Sequence, residues 1–241
     1  MLSKFMEILA VHGTAVVRWV GWNVSLAVIP VLFGYALLGV VKSSRTRPSL
    51  WKSIGAALLL GLWLAFVPNT CYLLTEWRHF LVNVANPDLL RDAGTHPKII
   101  LSAEAFFFFV YSGIGTLCFV LAIRPIEATL RIWKKPFWSV AFALFFLISL
   151  GVYLGLILRL NSWDLVSDPD SVFLPISKIP GNHLLLVVLV VFALFLWGLY
   201  EALDIWVDGM LLRWEVIAKR HNGGPSPAAG RPKGRNRSKK A

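Results

Sequence analysis

Charge is scarce in this chain. Only 15% of its 241 residues are Asp, Glu, Lys or Arg, against about 25% in an ordinary soluble domain, so water is not its main solvent. Acids are scarcer than bases: 13 Asp and Glu face 24 Lys and Arg, for a net charge of +11. The stretch 42–53 has four cations, Lys42, Arg45, Arg47 and Lys52, and no acid at all. Cysteine is limited to Cys71 and Cys118, both inside apolar runs. That excludes a disulfide framework or a thiolate zinc site, and the two are expected as small buried residues. No loop is long enough to fold by itself, which excludes an attached soluble catalytic domain.

What the chain does have is apolar runs. Asn23–Val41, Ile54–Leu74, Ile99–Ile123, Phe137–Leu158 and Leu184–Tyr200 approach or exceed the ~20 residues that cross a bilayer as a helix. The expected fold is all-α: a polytopic transmembrane bundle of about five spans over 23–215. Residues 1–22 are too interrupted by Glu7, His12 and Arg18 for a signal peptide. They are read as an amphipathic interfacial helix, with a poor extra span as the alternative. The tail 216–241, rich in Gly, Pro, Ser and cations, buries no apolar face and is expected to be disordered.

The cations alternate by loop. The 42–53 and 124–136 stretches and the segment from Arg213 hold 17 of the 24 Lys and Arg. Basic loops stay on the cytoplasmic side, so the N-terminus is expected outside and the C-terminus inside. The partners this implies are the bilayer itself and anionic lipid headgroups at the basic tail, each basic residue near the surface contributing about 1 kcal/mol. Nucleic acid is not expected, because no stacking aromatics interleave the tail's cations.

Polar residues gather at the opposite, extracytoplasmic ends of the spans. Pro68 falls about 21 Å along the second span at 1.5 Å per residue. There it removes one backbone donor and frees the carbonyl of Leu64. Asn69, Tyr72, Glu76 and His79 follow at spacings of three, four and three. That places them on one face if the helix continues, with Thr75 at its border. Asn23 opens the first span, and Glu104 lies in the third. Arg159, Asn161 and Asp164 end the fourth, and His183 opens the fifth. A carboxylate at mid-membrane costs roughly 2.5–3.5 kcal/mol on insertion scales, so Glu104 is expected to have a partner, with Arg159 the natural one. Gly151 and Gly155, four residues apart, invite close helix approach. The run "AFFFFVY" (105–111) is read as lipid-facing or core bulk.

The chemistry of this constellation stays open among three readings. In the first, intramembrane charges pair into a structural network. In the second, Glu76 and His79 offer a carboxylate and an imidazole at i, i+3 to a divalent metal, with His183 as a further ligand. In the third, Asn23, Asn69, Tyr72, Thr75, Glu104, Arg159, Asn161 and Asp164 line a ligand pocket. If the chain is an enzyme, His79 with Glu76 is the acid/base pair and Arg159 the anion anchor.

Three ordered motifs, "WNVSLAVIP" (22–30), "FVPNTCYLLTEWRHF" (66–80) and "GVYLGLILRLNSWD" (151–164), resemble those of a bacterial multi-pass membrane family catalogued as domain of unknown function 1361. The matching positions are Asn23, Pro30, Pro68, Asn69, Tyr72, Thr75, Glu76, His79, Gly151, Tyr153, Gly155, Arg159 and Asn161. Glu76 stands where the family usually has Asp, and Leu156 where an Arg is common. The resemblance implies a bacterial plasma-membrane protein and no activity. The function expected is a pocket near the extracytoplasmic surface that binds or processes a small polar or lipid-headgroup ligand. A transporter, or a non-catalytic subunit of a membrane complex, is the alternative.

Overall fold

A computed structural model describes residues 2–85, 97–160 and 164–221. These are helical nearly throughout, with no strand among the described residues. Five helical stretches are long and apolar enough to cross a membrane: Val16–Thr46, Leu50–Val82, Leu101–Ile132, Trp138–Ile157 and His183–Lys219. They belong to α1 (Leu2–Thr46), to α2, α3 and α4 in succession (Leu50–Phe66, Pro68–Thr75, Trp77–Ala85), to α5 (Pro97–Ile132), to α6 (Trp138–Val152) with a π turn (Tyr153–Ile157), and to α9 (His183–His221). Two short helices, α7 (Asp164–Ser167) and α8 (Pro169–Lys178), precede α9.

Local chemistry explains where the helices stop and bend. Pro48 disfavours helical geometry in the residue before it, and α1 ends at Thr46. Proline opens α5 and α8, where its missing N–H has no helical partner to lose. The end of α5 is a Schellman turn: the Lys135 amide donates to the Leu130 carbonyl and the Lys134 amide to the Arg131 carbonyl. Lys134 takes the left-handed conformation at φ 58° that this cap needs. Inside α5, Pro125 opens the backbone ladder one turn upstream. There the Trp63 indole donates to the Ala122 carbonyl at 2.9 Å.

The helices meet through small residues. A Cβ on Gly34 of α1 would lie 2.7 Å from Cγ of Pro125, and one on Gly115 of α5 would lie 2.5 Å from Cβ of Leu73. Ala27, Leu73, Phe108, Tyr111 and Cys118 form a core between α1, α3 and α5. On the other flank α3 packs on α6, and Ser149 ties α6 to α9 by donating to the Leu189 carbonyl at 2.9 Å. Thus α3 stands between α5 and α6. The end that carries Lys42–Lys52 and Arg131–Lys135 is called here the basic end, and the other the Glu76 end. Residues 201–221, the last part of α9, form a separate unit that is a single helix with exposed Ile205, Trp206, Leu212 and Trp214.

Residues 2–22 form the start of α1, which runs unbroken to Thr46. Nothing stronger than Gly13 and Gly21 interrupts them, and an isolated glycine costs a helix only about 1 kcal/mol. Residues 216–221 continue α9 to His221. Residues 222–241 lie outside the described residues. The helix expected to run on through Glu76 has a joint there, where φ is −67° and ψ −9°, and α4 begins afresh at Trp77.

Candidate site at the Glu76 end

The two flanks of α3 carry different chemistry. On the α6 flank, Pro68 and Tyr72 sit against the glycines of the fourth span. A Cβ on Gly151 would lie 2.4 Å from Cγ of Pro68, and one on Gly155 would lie 1.6 Å from the Tyr72 oxygen. Only glycine at both positions admits these two side chains. The Tyr72 hydroxyl donates to the Gly151 carbonyl at 3.3 Å. Just beyond, the chain enters the π turn, and the Leu158 amide reaches back five residues to the Tyr153 carbonyl. The turn closes with Arg159 in the left-handed region at φ 57°, and the Leu160 amide on the Leu154 carbonyl. A left-handed arginine costs about 1–2 kcal/mol relative to a right-handed one, and the turn fixes its exposed side chain at the end of the span.

Between these elements lies a cleft of about 320 Å³, walled by Leu64, Ala65, Leu147, Leu150 and Leu154, with Pro68, Tyr72 and the glycines at its base. Its rim residues Gly61 and Leu147 are exposed on the outside of the bundle, so it opens sideways, where acyl chains lie. Leu160 and Val172 bound its far end, and Arg159 is the residue next to Leu160.

On the α5 flank the polar groups are buried or half-buried. Tyr111, 2% exposed, stacks between Trp19 and Phe107. Asn23 donates to the Trp19 carbonyl of its own helix at 3.1 Å, and Trp77 donates to the Ser112 hydroxyl at 3.2 Å. The Tyr111 oxygen and the Asn69 amide nitrogen have no hydrogen-bond partner among the described residues. A buried polar group left in that state costs about 1–3 kcal/mol.

The expected site residues therefore divide. Asn23 and Glu76 are chain neighbours of Val24 and Trp77, which pack on the cluster that holds Tyr111, while Tyr72 turns to the glycine stripe. Asn69 is buried, 7% exposed, in α3. Thr75 donates to the Tyr72 carbonyl at 3.0 Å and borders a smaller apolar space beside the π turn. Glu104 is half-buried on α5, two turns from Tyr111. It makes no ion pair with Arg159, contrary to expectation. The physical reason is the layering: α5 packs on α1, α3 and α4, whereas the turn carrying Arg159 belongs to the α6 flank. Asp164 starts α7 half-buried, and His183 starts α9 exposed. His79 lies on α4, which packs on α5; its side chain, like Asn161, is outside the described residues. Among the described residues no three His, Cys, Asp or Glu side chains converge on a point where a metal would sit.

Tyr111 is the site residue that sequence reasoning missed. It was hidden in a phenylalanine run. The signal was its spacing, seven residues after Glu104, two helical turns along one face.

The Pro68 break falls in the second of the three motifs that carry the family likeness, and the glycine stripe with the arginine-ended turn in the third; the first is the Asn23–Pro30 stretch of α1. A family model described as protein of unknown function (DUF1361) matches residues 22–197. The chain belongs to this family. No curated protein matches it, and no solved structure does.

Proposed function

We propose that the DUF1361 chain binds an anionic amphiphile of the lipid class in the cleft between α3 and α6, from the extracytoplasmic side of a bacterial plasma membrane. The observation that carries this reading is the cleft itself. Its volume of about 320 Å³ is at the lower end of the ~300–1,000 Å³ of ligand pockets. Its walls are apolar, it opens on the flank of the bundle, and the exposed Arg159 immediately precedes Leu160 at its end. An acyl chain would replace the leucine-lined space, and a phosphate or carboxylate headgroup would meet the guanidinium, which pairs such groups in a bidentate fork. Tyr72, with its hydroxyl on the Gly151 carbonyl, would form the floor rather than react. The core of Ala27, Leu73, Phe108, Tyr111 and Cys118 stands on the other flank and would hold α1, α3 and α5 in place.

Gly61 gives the test. A Cβ there meets nothing within 4 Å, so Gly61→Leu occupies the cleft without forcing the helices apart. Protein purified in mild detergent and sprayed intact into a mass spectrometer should retain a lipid adduct that Gly61→Leu loses. Arg159→Gln should keep an adduct but lower its preference for anionic over zwitterionic lipid. Equal retention by the wild type and Gly61→Leu would refute the reading.

A further inference from the structure

We propose that a second cleft, at the basic end of the bundle, is a binding site for the phosphate headgroup of an anionic lipid. This cleft, of about 470 Å³, lies between the end of α1, the start of α2 and the end of α5. Its lining is divided by chemistry. Ser44, Arg45, Lys52 and Ser53 form one part; Val41, Ala56, Ala57, Leu60 and Ile132 form the other, and Trp133 also lines it. The apolar part belongs to the spans, and the cationic part lies where they end. That is the order of groups in a phospholipid, headgroup outermost and chains inward.

The electrostatics favour an anion. Lys52 is fixed in position: its ammonium donates to the Ser43 carbonyl at 3.1 Å, the Ser43 hydroxyl at 2.8 Å and the Arg47 carbonyl at 3.0 Å. Its charge thereby offsets the negative end of the α1 dipole and leaves the Arg45 guanidinium uncompensated. Arg45 is exposed and has no hydrogen-bond or ion-pair partner among the described residues. No acid occurs in 42–53. Glu127, the one acid of the 124–136 stretch, is held by Arg131 through one oxygen and by the Tyr200 hydroxyl at 2.7 Å through the other. Trp51, Trp133 and Trp138, 80%, 50% and 72% exposed, ring the same end. Tryptophans in that arrangement sit at the headgroup level of a bilayer, which places the mouth of the cleft where lipid phosphates are. Basic pockets between spans bind anionic headgroups. A soluble phosphate would use the cations but not the apolar wall, so the lipid is the occupant the whole cleft fits.

The test uses the full chain, stripped of lipid in a neutral detergent. It is titrated with phosphatidylglycerol, with phosphatidylcholine of the same acyl chains, and with glycerol phosphate, and bound species are counted by native mass spectrometry. The titrations are repeated with Gly61→Leu, which keeps the cleft at the other end out of the count. Phosphatidylglycerol is expected to bind at least about fivefold more tightly than either competitor, from the Arg45 charge that phosphatidylcholine does not need and the apolar wall that glycerol phosphate does not reach. Arg45→Gln should weaken it about fivefold. Ala57→Phe, which fills the apolar wall and leaves every charge in place, should abolish the tight adduct while weak, salt-sensitive binding to the basic tail persists. Arg45→Gln changes one exposed side chain, so it reports even where Ala57→Phe fails to fold. Equal affinity for glycerol phosphate and the lipid overturns the lipid assignment. Unchanged phosphatidylglycerol affinity in both variants overturns the site.

Discussion

Gly155→Ala is the substitution that puts most weight on the observed packing. The added Cβ would lie 1.6 Å from the Tyr72 oxygen and 2.6 Å from Cζ, so the ring must leave its place. Its departure breaks the bond to the Gly151 carbonyl, a loss of about 0.6 kcal/mol for a typical intramembrane hydrogen bond. Repacking around an inserted group costs a further 1–3 kcal/mol or so. Against this, alanine is favoured over glycine in a helix by about 1 kcal/mol, an upper bound inside a π turn. The net expectation is a destabilisation of about 1–3 kcal/mol. Tyr72→Ala removes the colliding ring, and in that background Gly155→Ala should be neutral or stabilising by up to about 1 kcal/mol. The double-mutant cycle should then show a coupling of at least about 1 kcal/mol. Equilibrium unfolding in mixed maltoside and dodecyl sulfate micelles, followed by circular dichroism, measures all four corners. Gly61→Ala, at an open position, serves as a control expected to cost nothing. The same cost for Gly155→Ala in both backgrounds would show that the glycine is not there for the tyrosine.

Two further outcomes are expected. Ser149→Ala removes the buried bond to the Leu189 carbonyl and should destabilise by about 0.6 kcal/mol in the same micelle titration, and by no more than about 1.7; a larger loss would assign the serine another role. Reporter fusions should place the 75–98 stretch outside and Ala241 inside, as the basic loops require; the reverse pattern would move the candidate site to the cytoplasmic face.

The spans and their number were legible, and for the fourth both limits, because about twenty consecutive apolar residues have few other uses. The glycine stripe was legible as a place of close approach, but not what approaches it. Gly151 and Gly155 name no partner by themselves, and the fit to Pro68 and Tyr72 emerges only once α3 is set against α6. The single polar face drawn through Asn69, Tyr72, Glu76 and His79 assumed a straight helix. A joint at Glu76 is a tertiary effect that spacing cannot report. The phenylalanine run was legible only in bulk: Phe106 and Phe109 are exposed and Phe108 is buried, as 100° per residue requires once one face is fixed. Arg159 and Glu104 looked like partners because both are charges near one end. Hydropathy gives depth along the membrane normal but not position around the bundle, and that second coordinate separates them.

The Pro68 break and the π turn are two defects of backbone hydrogen bonding, and each would be costly facing lipid. The structure sets them against one another, with Pro68 on Gly151, Tyr72 on Gly155 and one hydroxyl on a span carbonyl. A defect in one span thus helps to accommodate the defect in the other. An apolar cleft lies beside the contact, with leucines on either side of it. If the cleft is a by-product of that irregular joint, straightening either partner should remove it. Pro68→Ala, which restores the donor for Leu64, should therefore lose the lipid adduct along with Gly61→Leu, although no atom lost from Pro68 carries charge. Retention of the adduct by Pro68→Ala, with the fold intact by circular dichroism, would mean that the cleft exists independently of the break and that the two features were only neighbours.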